Sequence, residues 1–497
     1  MEHLNTCTLK KLEKATSIYD VITILFQSLT TKSEQKNIAL YNKWLLNPEK
    51  AEKLAQIVQM MSGHPADDFE AGLSMLIQLY KENQAVAIPL MVETLLCFDN
   101  ELSALSGNRQ HKQLNHGPLN SAQCQNQEEA YLYIAARNTL QDDFLTVNKL
   151  RRGGKRMTPH PSGLQNKLQN YTVIPQNKLG GLIPQISAYY LNETAQRHLQ
   201  EAPLRIAVFP FRNRMWFDWP HTESDREFDI VFPPEQDDII VQAYIQALKL
   251  AEQQRSHIVI FPEMAYSPKA KEQIRMYLRS NALKTKHIKL IFAGTEWADG
   301  VNTAYILSAS GRSLLSQKKR EPVDFYDTTA KLSRRERLED HSGNLCFLDV
   351  VGLGRIAYAV CRDFIDTEEQ LIRGGYMNSG FIAASCYTPE LGPFQTTAEG
   401  LAKQYGIVSL VCNACASLHD RSRLQQKAIV GFLAIPTCNE KKELLCDTIT
   451  YCPLDAECTE SSCELCSCAY FYTLNHPSDG SGLFQIELDS RKLEKRL

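Results

Sequence analysis

The stretch that decides the fold is Gly354-Arg-Ile-Ala-Tyr-Ala-Val-Cys361-Arg-Asp-Phe364, an apolar run that leads directly into polar residues. Such a run is typical of a buried β-strand, because strands covered on both faces are almost continuously apolar. Cys361 stands where the strand gives way to a loop. Reactive side chains of α/β proteins are commonly carried by the loops that follow such strands. The stretch therefore predicts a buried strand with a candidate nucleophile at its end.

Two other stretches share this design. Ser256-His-Ile-Val-Ile-Phe-Pro-Glu263 is an apolar strand that ends on a carboxylate. Asn302-Thr-Ala-Tyr-Ile-Leu-Ser-Ala-Ser-Gly311 is a strand with a turn, and the chain continues into Lys318-Lys319. Neighbouring residues of an extended segment face opposite sides, so only one of the two lysines can enter a common pocket. A carboxylate, an ammonium and a thiol at successive strand ends form a candidate catalytic set.

These three motifs resemble those of the nitrilase, or carbon–nitrogen hydrolase, superfamily. In that family a Glu follows a Phe-Pro strand end, a Lys follows an Asn-strand-Gly hairpin, and an acid stands two residues after the Cys. The resemblance covers about residues 204–495, and it implies an α/β fold in the form of a four-layer αββα sandwich. The spacing of the family selects Lys319 rather than Lys318. The family also implies a homo-oligomer and requires no cofactor for catalysis.

The resemblance implies a Glu-Lys-Cys triad. Cys361 would attack the substrate carbon and form a thioester, Glu263 would accept the thiol proton, and Lys319 would stabilise the oxyanion together with the backbone N–H of Arg362. A second pocket acid is common in the family, and either Asp327 or Glu336 could serve. Each residue also has a structural interpretation, such as a buried thiol for Cys361 or a capping acid for Glu263.

Some positions depart from the family pattern and bear on the substrate. Relatives often have His two residues after the Lys and an aromatic residue after the Cys, where this chain has Glu321 and Arg362. Nitrilases proper usually have Trp after the Cys, which favours amides over nitriles here. The Arg362 guanidinium could bind a substrate carboxylate or phosphate, but a salt bridge with Asp363 or Asp366 is the favoured interpretation.

The composition predicts a globular protein of several domains. The 497 residues are 43% hydrophobic and 22% charged, with a net charge of −3, which disfavours nucleic acid as a partner. The sequence shows no membrane-spanning run and no signal peptide at its start, so we expect a cytoplasmic protein. We expect a helical module over 1–100, a linker with connecting helices over 101–203, and the hydrolase domain over 204–497.

The first 203 residues carry little information about chemistry. Apolar residues recur at helical spacing up to about residue 98, which predicts a module for packing, oligomerisation or the binding of a protein partner. Helices are predicted over 128–150 and near 187–199. The basic run Lys149–Arg156 could contact phosphates, but it is equally consistent with a solvated helix end.

Cysteines cluster toward the end of the chain. Of the 15 cysteines in the sequence, several fall in a Cys-rich insertion at about 438–468, and two C-x-x-C pairs can be combined as Cys412, Cys415, Cys463 and Cys466. Four thiolates in a tetrahedral arrangement are a usual structural zinc site. The alternative is a cysteine-rich hairpin without metal.

The sequence thus predicts a hydrolase that cleaves a non-peptide amide bond through a Cys thioester. A second interpretation, of a different class, is a nitrilase-fold scaffold with little turnover that binds a partner, for example in a defence or regulatory complex.

Overall fold

The structure is a computed structural model. It describes residues 6–30, 34–43, 48–62, 66–99, 130–134, 171–175, 179–192, 195, 199, 203–211, 217–218, 226–327, 331–339, 343–351, 353–377, 379–414, 429–438, 444–450, 468–475 and 485–492. The chain divides into two compact units. Among the described residues, the first unit holds those up to 181 and the second those from 182 onward.

The first unit is mainly helical, as the apolar periodicity predicts. Its helices bury a continuous apolar core that includes Leu25, Leu54, Leu76 and Leu95. A two-stranded antiparallel sheet accompanies them. The elements are helices Thr6–Leu12, Ile18–Thr30, Glu34–Lys43, Pro48–Ser62, Ala66–Glu82 and 87–99, the 3-10 turn Gln84–Val86, and strands β1 (Ala130–Ile134) and β2 (Tyr171–Pro175).

The second unit is built from strands alternating with helices. Its strands are β3 (Ile183–Tyr190), β4 (Leu204–Val208), β5 (Glu227–Phe228), β6 (Ile258–Ile260), β7 (Leu290–Ala298), β8 (Val301–Ser308), β9 (Ser313–Lys318), β10 (Asp324–Asp327), β11 (Leu332–Glu336), β12 (Asn344–Val351), β13 (Gly354–Val360), β14 (Phe381–Cys386), β15 (Val408–Asn413), β16 (Ile429–Cys438), β17 (Leu444–Thr450), β18 (Cys468–Asn475) and β19 (Gln485–Lys492). Its helices are Asp237–Gln253, Pro268–Ser280, Thr367–Gln370 and Gly392–Tyr405, with a π-helix over Leu371–Tyr376 and 3-10 turns over Pro234–Gln236 and Cys361–Phe364.

Two seven-stranded mixed sheets form the centre of this unit. One has the order β17-β16-β15-β14-β13-β12-β3, and the other has the order β19-β18-β4-β6-β7-β8-β9. Their inner faces meet through polar as well as apolar contacts. Ser385 Oγ of β14 donates to the carbonyl of Phe261, 2.6 Å away, and the ring of Phe292 packs edge-on against Tyr358.

Helices cover the outer faces of both sheets. Helices Asp237–Gln253 and Pro268–Ser280 share an apolar core with β4, β6 and β7, while helix Gly392–Tyr405 contacts β15, β16 and β17. The predicted αββα four-layer sandwich, preceded by a helical module, is thereby confirmed. A small sheet of order β10-β11-β5 lies beside it in the same unit.

Two helix predictions are wrong over the parts of their spans that form strands. Ala130–Ile134 is a strand rather than part of a helix over 128–150, and Ile183–Tyr190 is a strand where the helix near 187–199 was expected to begin, whereas residues 195 and 199 are helical. Strand β3 pairs in parallel with β12, so the sandwich includes chain that the sequence placed in a connecting segment. No helix among the described residues is long and apolar enough to cross a membrane.

Candidate active site

Cys361 lies at the carboxyl end of the buried strand β13, as the opening stretch predicts. It begins the 3-10 turn Cys361–Phe364 and has a positive φ of 44°. An L-residue in that region costs about 1–2 kcal/mol, and strain of this kind is typically retained where a side chain must point in a particular direction. The side chain is 3% exposed.

Glu263 follows β6 in the opposite sheet, at a tightly packed turn. The backbone N–H of Met264 donates to Thr295 Oγ1 at 2.8 Å, and Gly294 lies against the carbonyl of Pro262. A Cβ on Gly294 would come within 2.2 Å of that carbonyl oxygen, and its φ is +79°. Only glycine therefore allows β7 to approach the turn that carries Glu263.

Lys319 follows β9 and points into the site, whereas Lys318 is exposed. The backbone N–H of Lys319 donates to the carbonyl of Asn302 at 2.8 Å, so the hairpin with β8 fixes the position of Lys319. The alternation expected for an extended segment is present here, since Gln317 and Lys319 are buried on either side of Lys318.

The structure brings Lys319 between two carboxylates. Lys319 Nζ is 2.8 Å from Glu263 Oε1 and 2.6 Å from Glu336 Oε2, and all three side chains are at most 1% exposed. Glu336 ends β11, on the buried face of that strand. Of the two acids that the sequence left open, Glu336 therefore occupies the position beside Lys319. The side chain of Asp327 lies outside the described residues.

Asn302 is a further polar group of the site. Its Nδ2 donates to Glu263 Oε1 at 2.9 Å and makes a longer contact of 3.4 Å with Glu336 Oε1. The backbone N–H of Val323 donates to Glu336 Oε2 at 3.0 Å. Sequence reasoning used Asn302 only as the start of the hairpin. The signal was a polar residue in an otherwise apolar strand.

The pKa values of Lys319 and Glu263 are both raised, but by different causes. Burial alone would lower the pKa of Lys319, but the carboxylates of Glu263 and Glu336 outweigh it and raise that pKa well above its usual value. Burial raises the pKa of Glu263. Lys319 opposes that shift, Glu336 adds to it, and hydrogen bonds from Lys319 and the Cys361 thiol oppose it. The site therefore holds Lys319 charged and lets Glu263 bind a proton more readily than an exposed glutamate.

Asp363 connects the loop after Lys319 with the turn after Cys361. Its carboxylate accepts the backbone N–H of Arg320 at 3.2 Å and that of Glu321 at 2.8 Å. It is fully buried, and burial raises its pKa well above the usual value, with Glu369 adding to the rise and Arg373 opposing it. The sequence motif included Asp363, but the loop that it holds could not be seen without the fold.

The interpretation of Arg362 as the partner of Asp363 or Asp366 is wrong. Its Nη1 donates to the carbonyl of Pro322 at 2.9 Å and lies 3.4 Å from Asp324 Oδ2, in a pair whose side chains are about half exposed. Asp363 is directed to backbone N–H groups, and Asp366 caps helix Thr367–Gln370. The proposed contribution of the Arg362 backbone N–H to an oxyanion hole stays a prediction.

An apolar cluster includes residues that are close in sequence to the two carboxylates. Met264 follows Glu263, and Trp297 and Leu338 lie in the same cluster, with Tyr387 packed against it. The cluster also includes Phe217, Phe228 and Ile230.

The zinc hypothesis is not tested by these residues. Cys412 is buried within β15, while Cys415, Cys463 and Cys466 lie outside the described residues. In the part of the chain that the structure describes, no group of three or more His, Cys, Asp or Glu side chains is arranged to hold a metal ion. The basic run Lys149–Arg156 also lies outside the described residues.

Comparison with known proteins finds similarity at the level of solved structures. No model of a protein family matches the sequence, and no curated protein is significantly similar to it. Similar structures include a glutamine-dependent NAD+ synthetase from Acinetobacter baumannii, with 14% identity, 59% of this chain and 49% of that chain covered, and a TM-score of 0.36. Nit3 of Saccharomyces cerevisiae, described as a nitrilase-superfamily member, has 15% identity, coverages of 51% and 91%, and a TM-score of 0.31.

A third similar structure is an amidase from Nesterenkonia sp. AN1 in which acrylamide has added to the active-site cysteine. It has 14% identity, covers 50% of this chain and 89% of its own, and gives a TM-score of 0.33. The match spans about half the length of the synthetase. These neighbours include members of the nitrilase superfamily, but their TM-scores are low. We therefore base the proposed function on the geometry of this chain's own residues.

Proposed function

We propose that this protein is a carbon–nitrogen hydrolase that cleaves a linear, non-peptide amide through a thioester on Cys361. One observation carries the proposal. A buried thiol, a buried carboxylate and a buried ammonium, supplied by three different strand ends, converge at one place. Glu263 forms a 2.8 Å ion pair with Lys319, and the Cys361 thiol is near enough to lower its pKa.

The first half of the reaction forms the acyl-enzyme. Glu263 accepts the proton of Cys361, and the sulfur attacks the amide carbon. Lys319 and the backbone N–H of Arg362 stabilise the negative oxygen of the tetrahedral intermediate. As the C–N bond breaks, Glu263 returns the proton to the departing amine. The raised pKa of Glu263 suits this role, because the carboxyl must both accept and release a proton.

The second half hydrolyses the thioester. Glu263 removes a proton from water, the hydroxide attacks the acyl carbon, and the sulfur leaves and recovers its proton. Glu336 and Asn302 act as positioning residues. Glu336 holds Lys319 charged and in place, and Asn302 fixes Glu263 Oε1 by a 2.9 Å hydrogen bond.

The surroundings of the site support an uncharged acyl group as substrate. Met264, which directly follows Glu263, belongs to one buried apolar cluster with Trp297 and Leu338. Two acids and one ammonium at the centre would repel an anionic group placed near Glu336. The Arg362 guanidinium is turned toward Pro322 and Asp324, which disfavours it as an anchor for a substrate anion.

A panel of linear amides of increasing acyl length tests the proposal directly. Ammonia release is measured for the wild-type protein, for Cys361→Ala, and for Cys7→Ala, which removes an exposed thiol as a matched control. We expect turnover in the wild type and the control, and none in Cys361→Ala. A short-lived acyl mass on the peptide of Cys361 identifies the thioester.

Turnover that survives in Cys361→Ala would refute the thioester mechanism. No turnover of any amide, together with no acyl adduct, would favour the scaffold interpretation, in which the helical unit binds a partner. In that case, capture of partners by the wild-type chain and by a chain with a substituted helical surface becomes the informative comparison.

A further inference from the structure

A second thiol lies beside the candidate nucleophile. Strands β13 and β14 run in parallel, and Val360 is paired with Ser385. The next residue in each case is a cysteine: Cys361, which begins the 3-10 turn after β13, and Cys386, the last residue of β14. Cys361 is 3% exposed and Cys386 is fully buried. The proposed mechanism assigns no role to Cys386.

The backbone holds Cys386 in this position. Its carbonyl accepts the N–H of Glu263 at 3.4 Å and the N–H of Ala414 at 3.0 Å. Adjacent strands lie about 4.7–4.9 Å apart, and disulfides span Cα separations of about 4.4–6.8 Å. Cys361 and Cys386 each follow the last paired position of these neighbouring strands, so the backbone starts them close to the range that a disulfide requires.

We propose that Cys386 is a resolving thiol for Cys361, and that a hydroperoxide converts the two into a reversible disulfide that blocks the nucleophile. The inference uses the proposed role of Cys361 as an activated thiol, but its readout does not require any turnover. The disulfide is a modification site formed by two residues of this chain, with a hydroperoxide as the co-reactant.

The chemistry proceeds in two balanced steps. The Cys361 sulfur attacks the peroxide, an S–O bond forms, the O–O bond breaks, and hydroxide or an alkoxide leaves, so that sulfur is oxidised and peroxide reduced by two electrons. The Cys386 sulfur then attacks Cys361 Sγ. The S–S bond forms, the S–O bond breaks, and the hydroxide leaves with the Cys386 proton as water. A dithiol reverses the result.

The electrostatics agree with this division of roles. Burial raises the pKa of Cys386 well above its usual value, and the neighbouring Cys361 thiol and the charge of Glu263 add to the rise. Cys386 therefore stays protonated and is a poor first target for peroxide, since the thiolate is the species that reacts. The position of Cys386 next to Cys361 compensates for this low reactivity, because the Cys386 thiol is already beside the sulfenic acid when it forms on Cys361.

The experiment treats the full chain with hydrogen peroxide, alkylates the remaining thiols, digests with trypsin and analyses the peptides by mass spectrometry. Cleavage places Cys361 in residues 356–362 and Cys386 in residues 374–403, each as the one cysteine of its peptide. The wild-type protein, Cys386→Ser, Cys386→Ala and the control Cys346→Ser are compared. Cys346 is a partly buried thiol of β12 and keeps the tested pair intact.

We expect linked peptides in the wild type and in Cys346→Ser. Alkylation of Cys361 should fall by about tenfold or more and return after dithiothreitol. In both Cys386 variants the link should be absent, and Cys361 should proceed to sulfinic and sulfonic acids that dithiothreitol does not reverse. Two Cys386 variants are used so that a folding defect in one does not decide the result.

Two results would overturn the inference. One is over-oxidation of Cys361 in the wild type at the rate seen in the Cys386 variants, without linked peptides. The other is an unmodified Cys361 in every protein. Failure of the proposed hydrolase function is distinguished from both, because it appears as absent amide turnover while the peptide link still forms.

Discussion

At the scale of single residues, the site depends on the balance between one ammonium and two carboxylates. Lys319 lies between Glu263 and Glu336, with both ion pairs almost completely removed from solvent. Removing one partner of a buried ion pair leaves an uncompensated charge, which costs about 3–5 kcal/mol. Because taking charges out of water costs several kcal/mol per ion, which the pairing repays only in part, the cluster is weak evidence for a stabilising role.

The raised pKa of Glu263 predicts a specific pH dependence. A carboxyl with a raised pKa binds its proton at a higher pH than usual, so the base is lost as pH falls through that raised value. We expect the alkylation rate of Cys361 to fall on the acid side with a midpoint above 4.5, the ordinary glutamate value. The rate is measured with iodoacetamide from about pH 4 to 9.

Glu263→Gln serves as the comparison in this experiment, because it keeps the shape of the side chain and removes the titrating group. The part of the acid limb that belongs to the carboxyl should be lost in that variant, while the dependence of alkylation on thiolate formation remains. An acid limb centred at or below 4.5 in the wild type would show that burial does not control this carboxyl.

At the scale of elements, strand ends and their turns carry the site. The sequence predicted strands at β6 and β13, because continuous apolar runs that stop at polar residues can be recognised locally. Lys319 after β9 was selected by the spacing from the hairpin Gly311 instead, since β9 is not a continuous apolar run. It missed β3, whose Pro184 and exposed Ile183 are acceptable only because the strand lies at a sheet edge. It also missed β1, which depends on pairing with β2 some distance along the chain.

Because Gly294 packs closely against the turn between β6 and Glu263, adding a single methyl group at this position should strongly reduce the free energy of unfolding. Gly294→Ala introduces a Cβ 2.2 Å from the carbonyl oxygen of Pro262 at a φ of +79°. We expect the free energy of unfolding to fall by at least about 2 kcal/mol, together with slower alkylation of Cys361. Denaturant unfolding measures the change.

Gly400→Ala is the matched control for this substitution. Gly400 lies within helix Gly392–Tyr405, and a Cβ there meets no atom within 4 Å. The same methyl group should stabilise the protein by about 0.5–1 kcal/mol. Equal effects at the two positions would mean that the close approach of Gly294 does not hold the turn.

The loop after Lys319 provides a second prediction. Asp363→Ala removes the acceptor for the backbone N–H groups of Arg320 and Glu321. We expect Lys319 to lose its fixed position and alkylation of Cys361 to slow by about tenfold, because small misplacements of a catalytic group are costly. Asp324→Ala removes an exposed carboxylate near Arg362 and should change the rate little.

Slower alkylation in Asp363→Ala could also come from a general loss of folding. The pH profile distinguishes this cause from displacement of Lys319. A general loss of folding would lower the rate at every pH and lower the unfolding midpoint in proportion. Displacement of Lys319 instead shifts the acid limb of Glu263 upward, because the ammonium that opposes its raised pKa has moved away. An unshifted limb would argue against a positioning role for Asp363.

At the scale of the whole molecule, the chain has two compact units with separate cores. The helical core contains fully buried residues such as Leu25. Leu25→Ala should destabilise that unit by about 2–5 kcal/mol. Calorimetry should then show an earlier transition, while the alkylation rate of Cys361 stays unchanged. A parallel loss of Cys361 reactivity would mean that the second unit requires the first.

The measurement that tests the nucleophile most directly is intact-mass spectrometry after brief treatment with a thiol-selective electrophile. Wild type, Cys361→Ala and Glu263→Gln are compared, with Glu339→Gln as a control that changes an exposed acid. We expect one fast-labelling site, which is lost in Cys361→Ala, slowed in Glu263→Gln and unchanged in the control. If Cys361 in the wild type is labelled no faster than the other cysteines, it is not an activated nucleophile, and the hydrolase proposal is wrong.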